Sequence, residues 1–235
     1  MTLEQIMQQL SELGDTGTKQ VLLKHGAKEP FFGVKVGDLK PIQKKLKKNH
    51  MLAKELYRTG NSDAMYLAGL IADEKAMTKA DLQEWVSKAH WYLLSEYTVA
   101  QLAAESAHGW ELAKEWIDSD NEGIASAGWS TLSNLVNILP DEKLDLPFLG
   151  SLLSHIAPTI HQQPNRVRYT MNSFVIAAGT FVEGLTAAAK QAASEIGMVK
   201  VDMGETSCKV PDALTYLKKM ESLQKIGKKK RRARC

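Results

Sequence analysis

Gln83-Glu84-Trp85-Val86-Ser87 returns 31 residues later as Lys114-Glu115-Trp116-Ile117-Asp118-Ser119. Each block sits inside a helical pattern. Leu82, Trp85, Val86 and Ala89 fall at i, i+3, i+4 and i+7, and Leu112, Ala113, Trp116 and Ile117 keep the same face. Thr78, followed three residues later by Asp81, supplies the N-cap of the first block. The same apolar spacing runs outward in both directions. Downstream it covers Ile124–Leu139, stopped by Pro140, then Phe148–Ile156 before Pro158, then Val167–Val182. A small-residue helix follows from Gly184 to Ile196, and Pro211 can open a last one reaching about Gln224. Upstream there are shorter segments at Leu3–Leu13, Lys19–Lys24, Leu39–Lys47, Leu52–Tyr57 and Ala64–Ala72. No alternating strand of five or more residues is present, and Met198–Met203 reads as an ordered, extended loop.

Consecutive helices joined by short turns, with one internal echo, fit a solenoid of helix pairs. A single-core helical bundle uses the same pattern. The chain of 235 residues, 44% hydrophobic and 24% charged, has the balance of a soluble globular protein. No apolar run is long enough to span a membrane, and the N-terminus lacks the features of a secretory signal. Two cysteines, Cys208 and Cys235, are too few for a disulfide framework or a four-cysteine zinc site. Cys208, in the Gly204–Pro211 loop, reads as buried and structural, and Cys235 as mobile. The six histidines show no metal-ligand spacing, so no metal is expected.

The net charge of +3 hides an asymmetry. Basic against acidic residues number 11 and 6 over positions 1–60, 5 and 15 over 61–164, 5 and 5 over 165–217, and 9 and 1 over 218–235. A polyanion is drawn to the two basic ends. Lys40, Lys44, Lys45, Lys47 and Lys48 form one basic helix face, and Lys228, Lys229, Lys230, Arg231, Arg232 and Arg234 a basic tail. A solvated surface is the default for the lysine face, and the tail can be one too. Arg166 and Arg168 follow Pro164-Asn165 at a helix start, with Asn172 one turn beyond Arg168; this is the best internal phosphate site, or else a salt-bridge partner for the acidic middle.

Three stretches resemble the bacterial DNA alkylation repair family, the HEAT-like repeat alkylpurine DNA glycosylases. Pro30-Phe31-Phe32-Gly33-Val34-Lys35-Val36-Gly37-Asp38-Leu39 is similar to an early F-x-G-[VI]-x-x-P-x-L turn, with Gly37 or Asp38 near the position of the proline. Ser87–Glu96 is similar to a helix junction with a W-x-x-x-D motif, and Trp116-Ile117-Asp118-Ser119-Asp120-Asn121 to a W-x-x-S-[DE]-N turn. The resemblance covers about Phe31 to Phe181. It implies an all-α fold, a right-handed superhelical solenoid of HEAT-like antiparallel helix pairs. Residues 1–225 then form one repeat domain and 226–235 a basic, flexible tail.

The resemblance also implies a partner and a chemistry. The partner is double-stranded or branched DNA held in a concave groove by a monomer, in the cytoplasm at the nucleoid. No metal, nucleotide or other small-molecule cofactor and no membrane is involved. Active members remove N3- or N7-alkylated purines, which needs an aromatic wall and a carboxylate beside a cationic sugar. Trp91 matches the motif tryptophan, the carboxylate position falls on Ser95 with Glu96 next to it, the arginine position on Ser126, and a second tryptophan near Phe174. One residue along an α-helix is a rotation of about 100°, which turns Glu96 away from Trp91 unless the helix start is irregular. The candidate catalytic residues are therefore Trp91, Glu96 and Ser95. The candidate DNA contacts are Arg166, Arg168, Asn172, Phe174, Lys44, Lys45, Lys48, Lys228, Lys229, Arg231 and Arg232. The alternative is a protein–protein scaffold without enzymatic activity.

Overall fold

The computed structural model describes residues 1–234; Cys235 lies outside them. Among the described residues there are 13 α-helices and no strand. They are α1 (Leu3–Glu12), α2 (Thr16–Lys24), α3 (Val36–Leu46), α4 (His50–Arg58), α5 (Ser62–Ile71), α6 (Lys79–Lys88) and α7 (Ala100–Glu105). After these come α8 (Gly109–Ile117), α9 (Glu122–Ile138), α10 (Leu146–Thr159), α11 (Asn165–Phe181), α12 (Thr186–Ile196) and α13 (Ala213–Ser222). A π-helical turn, Leu93–Val99, runs directly into α7. Local chemistry sets most starts. Thr2, Asp15, Asn49, Asn61, Thr78, Asn121, Asp145 and Asp212 each accept a hydrogen bond from a first-turn N–H.

The two echoed blocks prove to be neighbours one repeat apart. The Trp116 indole N–H donates to the Gln83 side chain at 2.9 Å, and Lys79 on α6 pairs with Glu111 on α8 at 2.7 Å. Lys114–Asp145 (3.4 Å) and Lys190–Glu221 (2.6 Å) join residues 31 apart further along the chain. Ties at this constant spacing are what stacked repeats produce, because each repeat touches the next at equivalent positions. The all-α solenoid is therefore the fold, and the single-core bundle is not.

Behind the first helices of the pairs, α5, the π–α7 helix, α9, α11 and α13 lie side by side as a second layer. The apolar stripes meet between the layers. Trp85 and Trp116 are fully buried there, and Trp85 stacks on Tyr57 at 3.9 Å. Gly128 lets α8 and α9 approach: a Cβ on it would lie 2.6 Å from the Ile117 nitrogen and 2.9 Å from Trp116. Backbone cannot move aside as a flexible side chain can. Gly128→Ala is accordingly expected to cost about 1–3 kcal/mol through overpacking, read as a lower urea midpoint at unchanged m-value. An unchanged midpoint would show that the two helices separate freely.

The motif turn at Phe31–Val34 is held by a buried carboxylate. Asp63 accepts the N–H groups of Phe32, Gly33 and Val34 at 2.6, 3.1 and 3.1 Å. Gly33 has φ +85°, and a Cβ there would meet Lys19 at 2.7 Å, so this position requires glycine.

Three expectations need correction. The tail is docked along the solenoid, not flexible: Gly227 N–H donates to the Thr180 carbonyl at 2.8 Å, Lys230 N–H to Asn137 at 2.7 Å and Ala233 N–H to Glu105 at 2.9 Å. Thr180 and Asn137 lie at the ends of α11 and α9, where carbonyls lack helical donors, and Glu105, at the end of α7, accepts through its side-chain carboxylate. Cys208 is a free, exposed thiol, because its loop runs over the surface. Pro158 does not stop α10; it lies in the helix's last turn, where the helix has only one residue left to run.

Candidate nucleic-acid cleft

The helices of the second layer run parallel, so their N-termini share one edge. A cleft of about 960 Å³ opens along that edge. The starts of α9 (Asn121, Glu122, Gly123, Ser126) and α11 (Asn165, Arg166) form its floor, beside Trp91, Tyr92 and Ser95. The end of α2, with Lys24 and His25, and the loop residues Met203 and Gly204 form its rims. The rims meet at one point: Gly204 has φ +68°, and a Cβ on it would lie 2.3 Å from the Lys24 carbonyl oxygen. The Tyr92 hydroxyl also lies 3.1 Å from His25 Nδ1. Two helix N-termini pointing into one cleft favour an anion.

Arg166 is the centre of the floor. Its backbone N–H donates to Glu122 at 2.6 Å. Its guanidinium lies between two aromatic rings, 4.2 Å from Tyr92 and 4.5 Å from Tyr169. Nε and Nη2 donate to the two oxygens of Glu96 at 2.8 and 2.5 Å, a bidentate fork. Burial pushes the Glu96 carboxyl up, and Arg166 and Ser126 pull it back without cancelling the rise. Burial also works against the arginine charge, yet the fork to Glu96 holds Arg166 above its usual value. The two groups form a buried bidentate ion pair.

The π turn explains how Glu96 gets there. Ala100 N–H bonds back to Ser95, five residues earlier, so the helix is wider than an α-helix and each residue is rotated less. The helix start is irregular, and Glu96 points to Arg166 and does not line the cleft with Trp91 and Ser95. Ser95 lines the cleft and Glu96 lies just behind Arg166, 4% exposed. Ser126, where the family pattern has an arginine, sits beside Glu96. The guanidinium paired with Glu96 comes from Arg166 of α11.

The other expected contacts separate into groups. Trp91 is 7% exposed, with its indole N–H buried and unpartnered. Phe174 is fully buried against Trp129 at 5.5 Å, and cannot meet DNA because it faces the core. Asn172 is likewise buried, its amide donating to the Pro211 carbonyl at 2.9 Å. Arg168 faces a neighbouring hollow under residues 198–212 and leans on Asn165. Lys44 and Lys45 are exposed at the end of α3, while Lys48 is paired with Asp73 and Glu74. Those lysines and the tail lie at the C-terminal ends of the second layer, the edge opposite the cleft. Tyr169 and Glu122 were not expected at the site. Tyr169, three residues after Arg166 and thus on the same helix face, carried a usable signal.

The model for DNA alkylation repair enzymes matches residues 6–193. The chain belongs to the DNA alkylation repair family. It is 34% identical over 225 residues to an uncharacterized protein of Listeria innocua, covering 93% of this chain and 97% of that one. An uncharacterized Listeria monocytogenes protein is 33% identical over 231 residues, covering 96% and 100%. A solved structure at 37% identity superposes over 100% of both chains with a TM-score of 0.92. That protein belongs to a family related to the HEAT-like repeat DNA glycosylases, with affinity for branched DNA structures. The right-handed, HEAT-like superhelix expected from the sequence accords with this likeness. Among the described residues no helix is long and apolar enough to cross a membrane.

Proposed function

We propose that this protein binds branched DNA through the cleft at the N-terminal edge of its second layer and does not excise alkylated bases. The observation that carries the reading is the fork between Arg166 and Glu96. Base excision builds positive charge on the sugar, and a carboxylate stabilises it only if its own charge is available. Both Glu96 oxygens are already held by a guanidinium at 2.8 and 2.5 Å. Ser95, at the motif carboxylate position, carries no charge. What the cleft offers a nucleic acid is Trp91 and Tyr92 in its wall, the positive dipole ends of α9 and α11, and Lys24 and Lys28 on a rim. Asp202, Glu205 and Glu122 line the same cleft, so its field is mixed rather than uniformly basic. A mixed field favours a substrate that fits by shape over any duplex held by charge alone. Affinity of the structural neighbour for branched DNA supports that preference. The monomeric state and a location at the nucleoid belong to the same proposal.

A direct test pairs two assays. Fluorescence anisotropy should show a four-way junction bound about tenfold more tightly than a linear duplex of equal length, with affinity falling as salt rises. Incubation with methylated DNA should release 3-methyladenine and 7-methylguanine no faster than buffer. Equal affinity for both DNAs removes the shape preference; protein-dependent base release removes the non-excising half. The scaffold reading has less to rest on, because four acidic side chains of the outer layer are already paired: Glu111 and Glu115 with Lys79, Glu84 with Lys88, Asp145 with Lys114.

A further inference from the structure

We infer that Gly227–Arg234 is a second polyphosphate-binding surface, built on the edge opposite the cleft, that takes another arm of the same branched DNA. The inference rests on the branched-DNA reading above and extends it to a separate surface.

Parallel helices in one layer create two unlike edges. The cleft edge gathers N-termini. The other edge gathers the C-termini of α5, α7, α9 and α11, whose free carbonyls carry partial negative charge. Left bare, that edge repels DNA. The tail lies across it as an extended strap. It meets Thr180 at the end of α11, Val136 and Asn137 at the end of α9, Glu105 at the end of α7, and Gly69 and Ala72 at the end of α5.

Inward and outward side chains divide the work. Lys229 donates to the Val136 carbonyl at 2.9 Å and pairs with Asp141 at 2.7 Å. Arg234 holds Glu105, Glu74 and the two α5 carbonyls. Those two residues anchor the strap. Lys228, Arg231 and Arg232 are exposed and form no ion pair among the described residues; Lys230 is exposed and leans on the Phe181 ring at 5.2 Å. Six strap cations stand over four carboxylates, Glu74, Glu105, Asp141 and Glu183, so the edge changes sign from negative to positive. Glu74 also pairs with Lys48, which extends the positive ridge to Lys44 and Lys45.

Order is the second argument. A solvated tail pays its ordering cost when it meets DNA; a strap fixed by backbone hydrogen bonds has already paid it. The two phosphate surfaces are separated by the length of α9, whose 17 residues span about 25 Å at 1.5 Å each. Arms diverging from one branch point supply phosphates to both edges. A linear duplex seated in the cleft has no second arm to offer.

The test uses the full chain with Lys228→Ala, Arg231→Ala and Arg232→Ala combined. These side chains are exposed, so the anchors and the melting temperature should be unchanged. Binding of a four-way junction is expected to weaken about tenfold or more, with its log–log salt slope shallower by about 2–3, one unit per lost phosphate contact. Binding of a linear duplex should change less than about twofold. Junction affinity equal to wild type overturns the inference, and so does an equal loss on both DNAs, which marks the strap as a general attractor. A wild-type protein that binds neither DNA instead sinks the underlying reading of the cleft.

Discussion

Arg166→Ala is expected to lower the unfolding free energy by about 3–5 kcal/mol, the cost of stranding a buried charge whose partner has been removed. The Glu96 side chain is 2% exposed, so water cannot replace the lost guanidinium. The variant also loses the ring contacts with Tyr92 and Tyr169. The loss should depend on pH in a definite direction. Burial already raises the Glu96 carboxyl in the wild type, and without Arg166 the rise is larger. A group whose folded pKa exceeds its unfolded value costs nothing below the unfolded value, where both states are protonated. As pH climbs towards the folded value, the unfolded chain ionises first and stability falls. The deficit of Arg166→Ala should therefore be largest at neutral pH and shrink towards the ordinary glutamate range. Urea midpoints at two pH values measure it. Replacing both partners, Arg166→Met with Glu96→Leu, should recover most of the loss, since no charge remains buried. A single variant that melts like wild type at neutral pH would mean that the fork contributes nothing to the fold.

The sequence carried the repeat, the helices and half of the site. Trp85 and Trp116 announce stacked helices because the echo and the apolar spacing are local, and local patterns are what a chain displays. Trp91 and Arg166 could be selected from their positions at helix starts. Their relation could not. Glu96 and Arg166 are 70 residues apart, and nothing in either neighbourhood encodes the other. The π turn that brings Glu96 behind Arg166 has no signature in Leu93–Val99, since i→i+5 bonding follows from packing rather than propensity. Phe174 and Asn172 mislead in the opposite way. They match family positions or a polar helix face, yet α11 is packed on several sides, and both end up inside. The tail has no apolar face, and its docking uses carbonyls and carboxylates at helix ends that only the assembled layer brings into line.

That docking gives the second large effect. Arg234→Ala should destabilise the protein by about 2–4 kcal/mol. The Arg234 side chain is 11% exposed and joins four acceptors on two different repeats: the Gly69 and Ala72 carbonyls, Glu74 and Glu105. Without it, two helix-end carbonyls and two carboxylates face one another with a cavity between them. The pH response should be opposite in sign to that of the Arg166 pair. Desolvation acts to raise Glu74, but hydrogen bonds from Lys48 and Arg234 outweigh it and hold the carboxyl down at about 2. A depressed folded pKa contributes stability above the unfolded value, near 4.5, and that contribution disappears as pH falls towards about 2. Arg234→Ala should flatten this acid limb but leave the part due to Lys48. Arg234→Lys should rescue only a fraction, because an ammonium cannot span carboxylates and carbonyls with a planar fork. Thermal melts of the three proteins across the acid range decide it. A freely solvated tail would leave every curve within about 0.5 kcal/mol of wild type, and the strap would then have no structural hold on the repeats it crosses.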